Sequence, residues 1–206
     1  MKRIILIAFL MSSICYSQTI TEDKIEIRIK KSKLVDNVSV FGIRQLKVTS
    51  VKFRKVMIKT KIKSTPNEKT KLSAFSLLDT KNKIRYRLAD YKGYTGVVGF
   101  PELTPFLKTE LFDKKGKPIQ YGPTFNVLEK DYFNDYDIDG YTNFEMPINF
   151  GTKKDPKLSI IYFGETFFKR FTAELFFAIL VENTNLDYEL LYKNEKIGDI
   201  KFKKNE

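Results

Sequence analysis

The feature that most constrains this chain is alternation with period two. In "KIEIRIKK" (24–31), Ile25, Ile27 and Ile29 occupy one side and Glu26, Arg28 and Lys30 the other. "VMIKTKIKS" (56–64) repeats the pattern, with Val56, Ile58, Thr60 and Ile62 set against Met57, Lys59, Lys61 and Lys63. Successive side chains of a strand point to opposite faces, so such runs suit strands with one face in a core and one in water. A helix would scatter the same residues around its axis. Turn-forming clusters separate the runs: "STPNEKT" (64–70), "DTKNK" (79–83), "DKKGK" (113–117), "GTKKDPK" (151–157), "VENTN" (181–185) and "YKNEK" (192–196). "FKRFTAELFFAILV" (168–181) has the length for a helix, but its aromatic content and closing turn predict a strand. The expected fold is all-β, an immunoglobulin-like antiparallel β-sandwich.

The first residues, "MKRIILIAFLMSSICYSQ", carry two cations, an apolar run and then small residues, the layout of a secretory signal peptide over 1–17 with cleavage after Ser17. The apolar run is shorter than the roughly 20 residues of a membrane span, and no later segment reaches that length. Ile14 before Cys15 speaks against a lipid anchor, since lipoprotein processing wants a small residue there. The expected location is extracytoplasmic, in the periplasm or secreted. Cleavage removes the one cysteine, so residues 18–206, expected as a single domain, fold on a hydrophobic core without disulfides, with 18 Phe and 11 Tyr to build it. With no His, imidazole bases, His metal ligands and His-containing triads are excluded.

An echo runs through the chain. "LLDTKNKIRY" (77–86) and "LFDKKGKPIQY" (111–121) share an apolar pair, an aspartate, a basic turn and an Ile-x-Tyr exit, and "LLYKNEKIGDI" (190–200) is a weaker copy. Each reads as a hairpin: Asp79 and Asp113 bond their own turn backbones, and Asn82 and Gly116 are the expected positive-φ positions. The stretches "IRQLKVTSVKFRKVMIKTKIKSTPNEKTKLSAFSLLDTKNKIRYRLADY" and "AELFFAILVENTNLDYELLYKNEKIGDIKF" together resemble a telokin-like, immunoglobulin-type secreted bacterial domain family of uncharacterised function. The residues that carry the resemblance are Phe75, Leu77, Asp79 and Tyr86, then Phe177, Leu180, Tyr188, Leu190 and Tyr192. It covers roughly 43–91 and 172–202, which leaves about 92–171 as a long insertion. The resemblance implies a fold and an extracytoplasmic address, and it transfers no activity.

Three groups of residues are candidates for a site. "DYDIDGYTNFEM" (135–146) places Asp135, Asp137 and Asp139 at positions 1, 3 and 5 of a calcium loop, Gly140 at 6 and Asn143 at 9. Position 12 is Met146 and Glu145 falls one residue early, so the bidentate closure is absent and two readings stay open: a calcium cage completed by Glu145, or the wet side of a turn or strand. The second group is basic: Lys59, Lys61 and Lys63, preceded by Lys52, Arg54 and Lys55, form a stripe that suits an acidic polysaccharide or protects an edge strand. No aromatic residue interleaves those lysines, which speaks against nucleic acid. The third is aromatic: Tyr91, Tyr94, Phe100 and Phe106 lie on or beside the Gly/Pro-rich loop 91–105, where rings either stack on a sugar or close the core.

Carboxylate pairs such as Glu102 with Glu110, or Asp131 with Asp135, are the only acid/base candidates, and no spacing singles one out. The expectation is therefore an exported, noncatalytic binding or structural module of the cell envelope, with no cofactor and with an envelope protein or acidic polysaccharide as partner. The alternative is a calcium-dependent glycan-binding domain. The formal charge of +12 favours anionic neighbours of either kind.

Overall fold

A computed structural model describes residues 18–22, 24–35, 47–48, 52–94, 108–109, 121–122, 131–145, 148–149, 155, 158–159, 163–166, 168–181 and 187–202. In chain order the strands begin with β1 (Gln18–Ile20), β2 (Glu26–Leu34), β3 (Lys47–Val48), β4 (Phe53–Lys63), β5 (Thr70–Lys71), β6 (Phe75–Asp79), β7 (Ile84–Arg87) and β8 (Asp90–Tyr94). They continue with β9 (Lys108–Thr109), β10 (Tyr121–Gly122), β11 (Thr142–Phe144), β12 (Ile148–Asn149) and β13 (Leu158–Ser159). The last four are β14 (Glu165–Thr166), β15 (Arg170–Leu180), β16 (Asp187–Tyr192) and β17 (Glu195–Lys201). One short 3-10 turn, Leu72–Ala74, leads into β6. No helix among the described residues is long and apolar enough to cross a membrane.

Two five-stranded sheets form the sandwich, in the orders β1-β2-β4-β15-β8 and β11-β7-β6-β16-β17. The pairs β4/β15 and β2/β4 are antiparallel, and β15 runs opposite β4 from Arg170↔Lys63 to Leu180↔Phe53. Residues predicted to face inward from the first sheet do so: Ile25, Ile27, Val56, Ile58 and Ile62 are fully buried, with Leu175 and Phe177 beside them. From the second sheet Phe75, Leu77, Tyr86, Leu190 and Tyr192 meet them in the same core. The fold is thus all-β with antiparallel sheets packed as a sandwich, consistent with an immunoglobulin-like arrangement, and 168–181 gives a strand as expected. Shorter pairings, β10-β13-β12-β9-β3 and β14-β5, complete the described strands.

The β6–β7 hairpin departs from expectation in one detail. Asp79 accepts hydrogen bonds from the backbone N–H groups of Lys81 and Asn82 at 3.1 and 3.0 Å, as the sequence suggested. The positive φ belongs to Lys83 (56°) and not to Asn82. The reason lies in those two bonds: they keep the chain turning through Asn82, so the reversal into β7 falls one residue later. Asp113 and Gly116 lie outside the described residues, as does the expected signal segment 1–17. Within 92–171, residues 92–94 and 170–171 belong to strands of the first sheet and 142–144 to the edge of the second.

Candidate functional site

The acidic loop folds against β7. Along that strand Ile84 and Tyr86 turn toward the core, so Arg85 and Arg87 fall on the opposite face. There they are buried all the same, with Arg85 fully enclosed and the Arg87 side chain 3% exposed. The cover is the segment 131–145, whose β11 pairs in parallel with β7 (Thr142↔Ile84, Asn143↔Arg85, Phe144↔Tyr86). Both guanidinium carbons pack on the fully buried Phe133 ring, at 3.9 Å for Arg85 and 4.5 Å for Arg87 from its centroid.

Charge is matched locally. Arg87 donates to both Asp131 oxygens at 2.7 Å, and to Glu145 Oε1 at 2.9 Å from Nε and 2.8 Å from Nη2. Burial works to lower its pKa, but the hydrogen bonds and charges of Asp131 and Glu145 outweigh burial and hold the group above its ordinary value. Arg85 donates to the Phe133 carbonyl at 2.9 Å, to Asn143 Oδ1 at 3.4 Å and to Ser76 Oγ at 3.3 Å, with Asp137 3.6 Å away. Burial, only partly countered by Asp137, pulls Arg85 down to about 10, so it remains a cation at neutral pH.

This geometry settles where the five calcium candidates point. Glu145 is engaged by Arg87, Asp137 lies beside Arg85 and accepts from Asn143 Nδ2 at 2.9 Å, and Asp135 and Asp139 are exposed on the turn. Gly140, at φ 76°, permits that turn, and β11 begins two residues later. Among the described residues no group of three or more acidic or other ligating side chains is placed to hold a metal ion. Of the five residues weighed as calcium ligands, Asp137 and Glu145 lie toward Arg85 and Arg87, Asn143 bonds Asp137, and Asp135 and Asp139 face solvent. Of the carboxylate pair Asp131 and Asp135, Asp131 is bonded to Arg87 and Asp135 is exposed on the turn. Glu102 and Glu110 lie outside the described residues.

No family model matches this chain, and no curated protein or solved structure matches it either.

The basic candidates do come together, and with more company than the stripe on β4 alone. Lys59, Lys61 and Lys63 lie on the outer face of the first sheet, opposite Lys31, Arg28 and Glu26 of β2 and Glu174, Thr172 and Arg170 of β15. A β-bulge between Ile29 and Lys31 sets what β2 shows there. Up to the bulge the even residues Glu26, Arg28 and Lys30 face out. Past it the extra residue shifts the phase, so Lys31 and Lys33 stand opposite outward-facing Lys59 and Met57, and Leu34 stays opposite Val56 of the core. Were Lys30 itself paired with Lys59 in regular register, those two lysines would face the core. Among the described residues this part of the outer face therefore presents Arg28, Lys30, Lys31, Lys33, Lys59, Lys61, Lys63 and Arg170, eight cations, against two carboxylates, Glu26 and Glu174, a surplus of six.

Both carboxylates are at the margin of this patch. Glu174 pairs with Lys59 and Glu26 with Lys63, each at 3.4 Å. Among the described residues Lys31, Lys61 and Arg170 form no ion pair. Crowding leaves a mark on Lys30, whose pKa is lowered by desolvation first and then by the charges of Arg28 and Lys61. Nearer the Phe53 end the same face is closed: Lys55 is buried over the Phe176 ring at 5.4 Å, and Lys92 is buried beside Asp90 and Glu174. Lys52 and Arg54 are exposed beyond that end.

Of the aromatic candidates, the Tyr91 side chain is among those described. Tyr91 is half-buried and meets the Phe163 ring edge-on at 5.3 Å, so it packs against the core. The Tyr94 backbone pairs with Thr172, while Phe100 and Phe106 lie outside the described residues. Sequence reasoning missed the contribution of Lys31 and Lys33. The signal was present: apolar residues fall on odd positions through Ile29 and on an even one at Leu34, a change of phase at the Lys30–Lys31 pair.

Proposed function

We propose that this chain is an exported, noncatalytic binding module of the cell envelope that attaches to an anionic partner through the outer face of its first sheet. The observation that carries this reading is the bulge in β2, which keeps basic residues on one face across a change of phase and builds a surplus of six charges beside β4. Edge protection can account for Lys30, Lys31 and Lys33, which lie on the part of β2 beyond its pairing with β1, but not for Lys59, Lys61 and Lys63, because β4 is an interior strand between β2 and β15. The signal-like leader supports export, and the resemblance to a secreted immunoglobulin-type family points the same way. A noncatalytic role is supported by the absence of His from the chain and by the engagement of Asp131 and Glu145 with Arg87.

The test is co-sedimentation of the mature protein with envelope membranes and wall material at physiological salt, where weak nonspecific adhesion is screened. Binding that is lost in Arg28→Gln/Lys31→Gln/Lys61→Gln, and kept when Lys69, Lys81 and Lys196 are changed instead, supports the reading. Equal binding by both variants overturns it.

A further inference from the structure

We infer that the ligand of this face is a linear acidic polysaccharide that lies along β2, over Arg28, Lys30, Lys31 and Lys33, with Lys61 and Lys59 flanking it from β4. The inference rests on the proposed anionic-partner reading and narrows it to one class. Shape is the first argument. Cations two residues apart on a strand are about 6.8 Å from one another, and neighbouring strands are about 4.8 Å apart. The basic surplus therefore forms a ribbon several times longer than a single small anion, one strand spacing wide. It is bounded by Glu174 on the β15 side and by Glu26 at one end. A chain with one carboxylate or sulfate per repeating unit fits such a ribbon, whereas a single phosphate would meet only two or three of the cations.

The second argument separates a polymer from a membrane. Peripheral proteins that dock on anionic bilayers add apolar or aromatic side chains that enter the acyl boundary beside the basic ones. Among the described residues the one large hydrophobic side chain that is exposed is Ile20, on β1 opposite Glu26 at the end of this ribbon, while Met57 and Phe176 on the same sheet face are buried. From Arg28 to Lys33 the outward side chains of the ribbon are all charged, and the single isoleucine at its end is far less apolar surface than a bilayer-docking face presents. The ribbon also lacks exposed rings among the described residues, so recognition rests on charge spacing and not on stacking against the sugar face.

The experiment is titration of the mature protein with polygalacturonate oligomers of graded length, with neutral dextran oligomers of equal length, with inorganic phosphate, and with vesicles containing anionic lipid, all at physiological salt. Circular dichroism and melting of each variant confirm its fold. The expected result is affinity for the acidic oligomers that rises with length and then levels off once the chain spans Arg28 to Lys33. Arg28→Gln/Lys31→Gln/Lys61→Gln should lose at least about tenfold, since each cation near an anionic surface is worth roughly 1 kcal/mol. Lys69→Gln/Lys81→Gln/Lys196→Gln, with the same change in net charge, should lose far less. Binding to vesicles or phosphate without binding to the oligomers overturns the polysaccharide assignment and leaves the anionic-partner reading standing. Binding to none of these anions, or equal loss in both variants, overturns both.

Discussion

Replacement of Asp131 by alanine tests whether the acidic loop exists to neutralise buried arginine. Asp131 accepts both bonds of the Arg87 fork at 2.7 Å and also the Phe133 N–H at 3.0 Å, with its own side chain 12% exposed. Removing one partner of a fully buried ion pair costs about 3–5 kcal/mol. Here Glu145 still holds Arg87 through two bonds, which places the loss nearer that of hydrogen bonds to a charged group, about 2–3 kcal/mol. For a chain of this size that lowers the melting temperature by about 4–12 °C. Asp139→Ala, on the exposed part of the same loop, should stay within about 0.5 kcal/mol. Urea unfolding followed by far-UV circular dichroism or tyrosine fluorescence suits a protein without Trp. In an Arg87→Met background the cost of Asp131→Ala should fall by about 1.5 kcal/mol or more, as expected for directly bonded residues. Equal losses for Asp131→Ala and Asp139→Ala, or strict additivity with Arg87→Met, would refute the reasoning.

Calcium titration of the mature protein by calorimetry should be flat, with the melting point unchanged by chelator; a saturable isotherm lost in Asp137→Ala would restore the loop as a metal site. Alkaline stability should fall as pH rises from about 10 toward 12, because burial, aided by the hydrogen bond to Glu165, raises Tyr132 to about 12. The folded protein then binds the proton that the unfolded chain has released, so the stabilisation is complete below the unfolded pKa and lost through the folded one. Tyr132→Phe should flatten that decline, and an unchanged pH profile would count against it. Deleting Lys30 removes the extra residue of the bulge and leaves the phase of β2 intact, so the protein should fold within about 1–2 kcal/mol of the parent. Deleting Ile29 instead drives a lysine inward opposite fully buried Thr60, at a cost of roughly 3 kcal/mol or more; equal melts for the two deletions would sink the phase argument.

The parts of this fold that were legible are those in which each residue answers to its nearest neighbours. Alternation in β4 placed Ile58 and Ile62 in the core and Lys59, Lys61 and Lys63 outside because a slip of one residue would bury lysine. The bulge in β2 was legible only as a change of phase between Ile29 and Leu34, and its effect on Lys31 and Lys33 required the pairing with Lys59 and Met57. The arginine cover was hidden for a different reason. Alternation in "IRYR" assigns Arg85 and Arg87 to the side away from the core, and so they are, but what covers them is 44 to 58 residues distant in sequence. No local pattern encodes that contact. Read alone, five carboxylates between Asp131 and Glu145 in a chain of formal charge +12 suggest a ligand cage. Set beside β7, three of them sit against Arg85 and Arg87, whose burial would be prohibitive without countercharge. The spacing of these carboxylates thus also serves a turn that brings Asp131, Asp137 and Glu145 to two arginines on one strand.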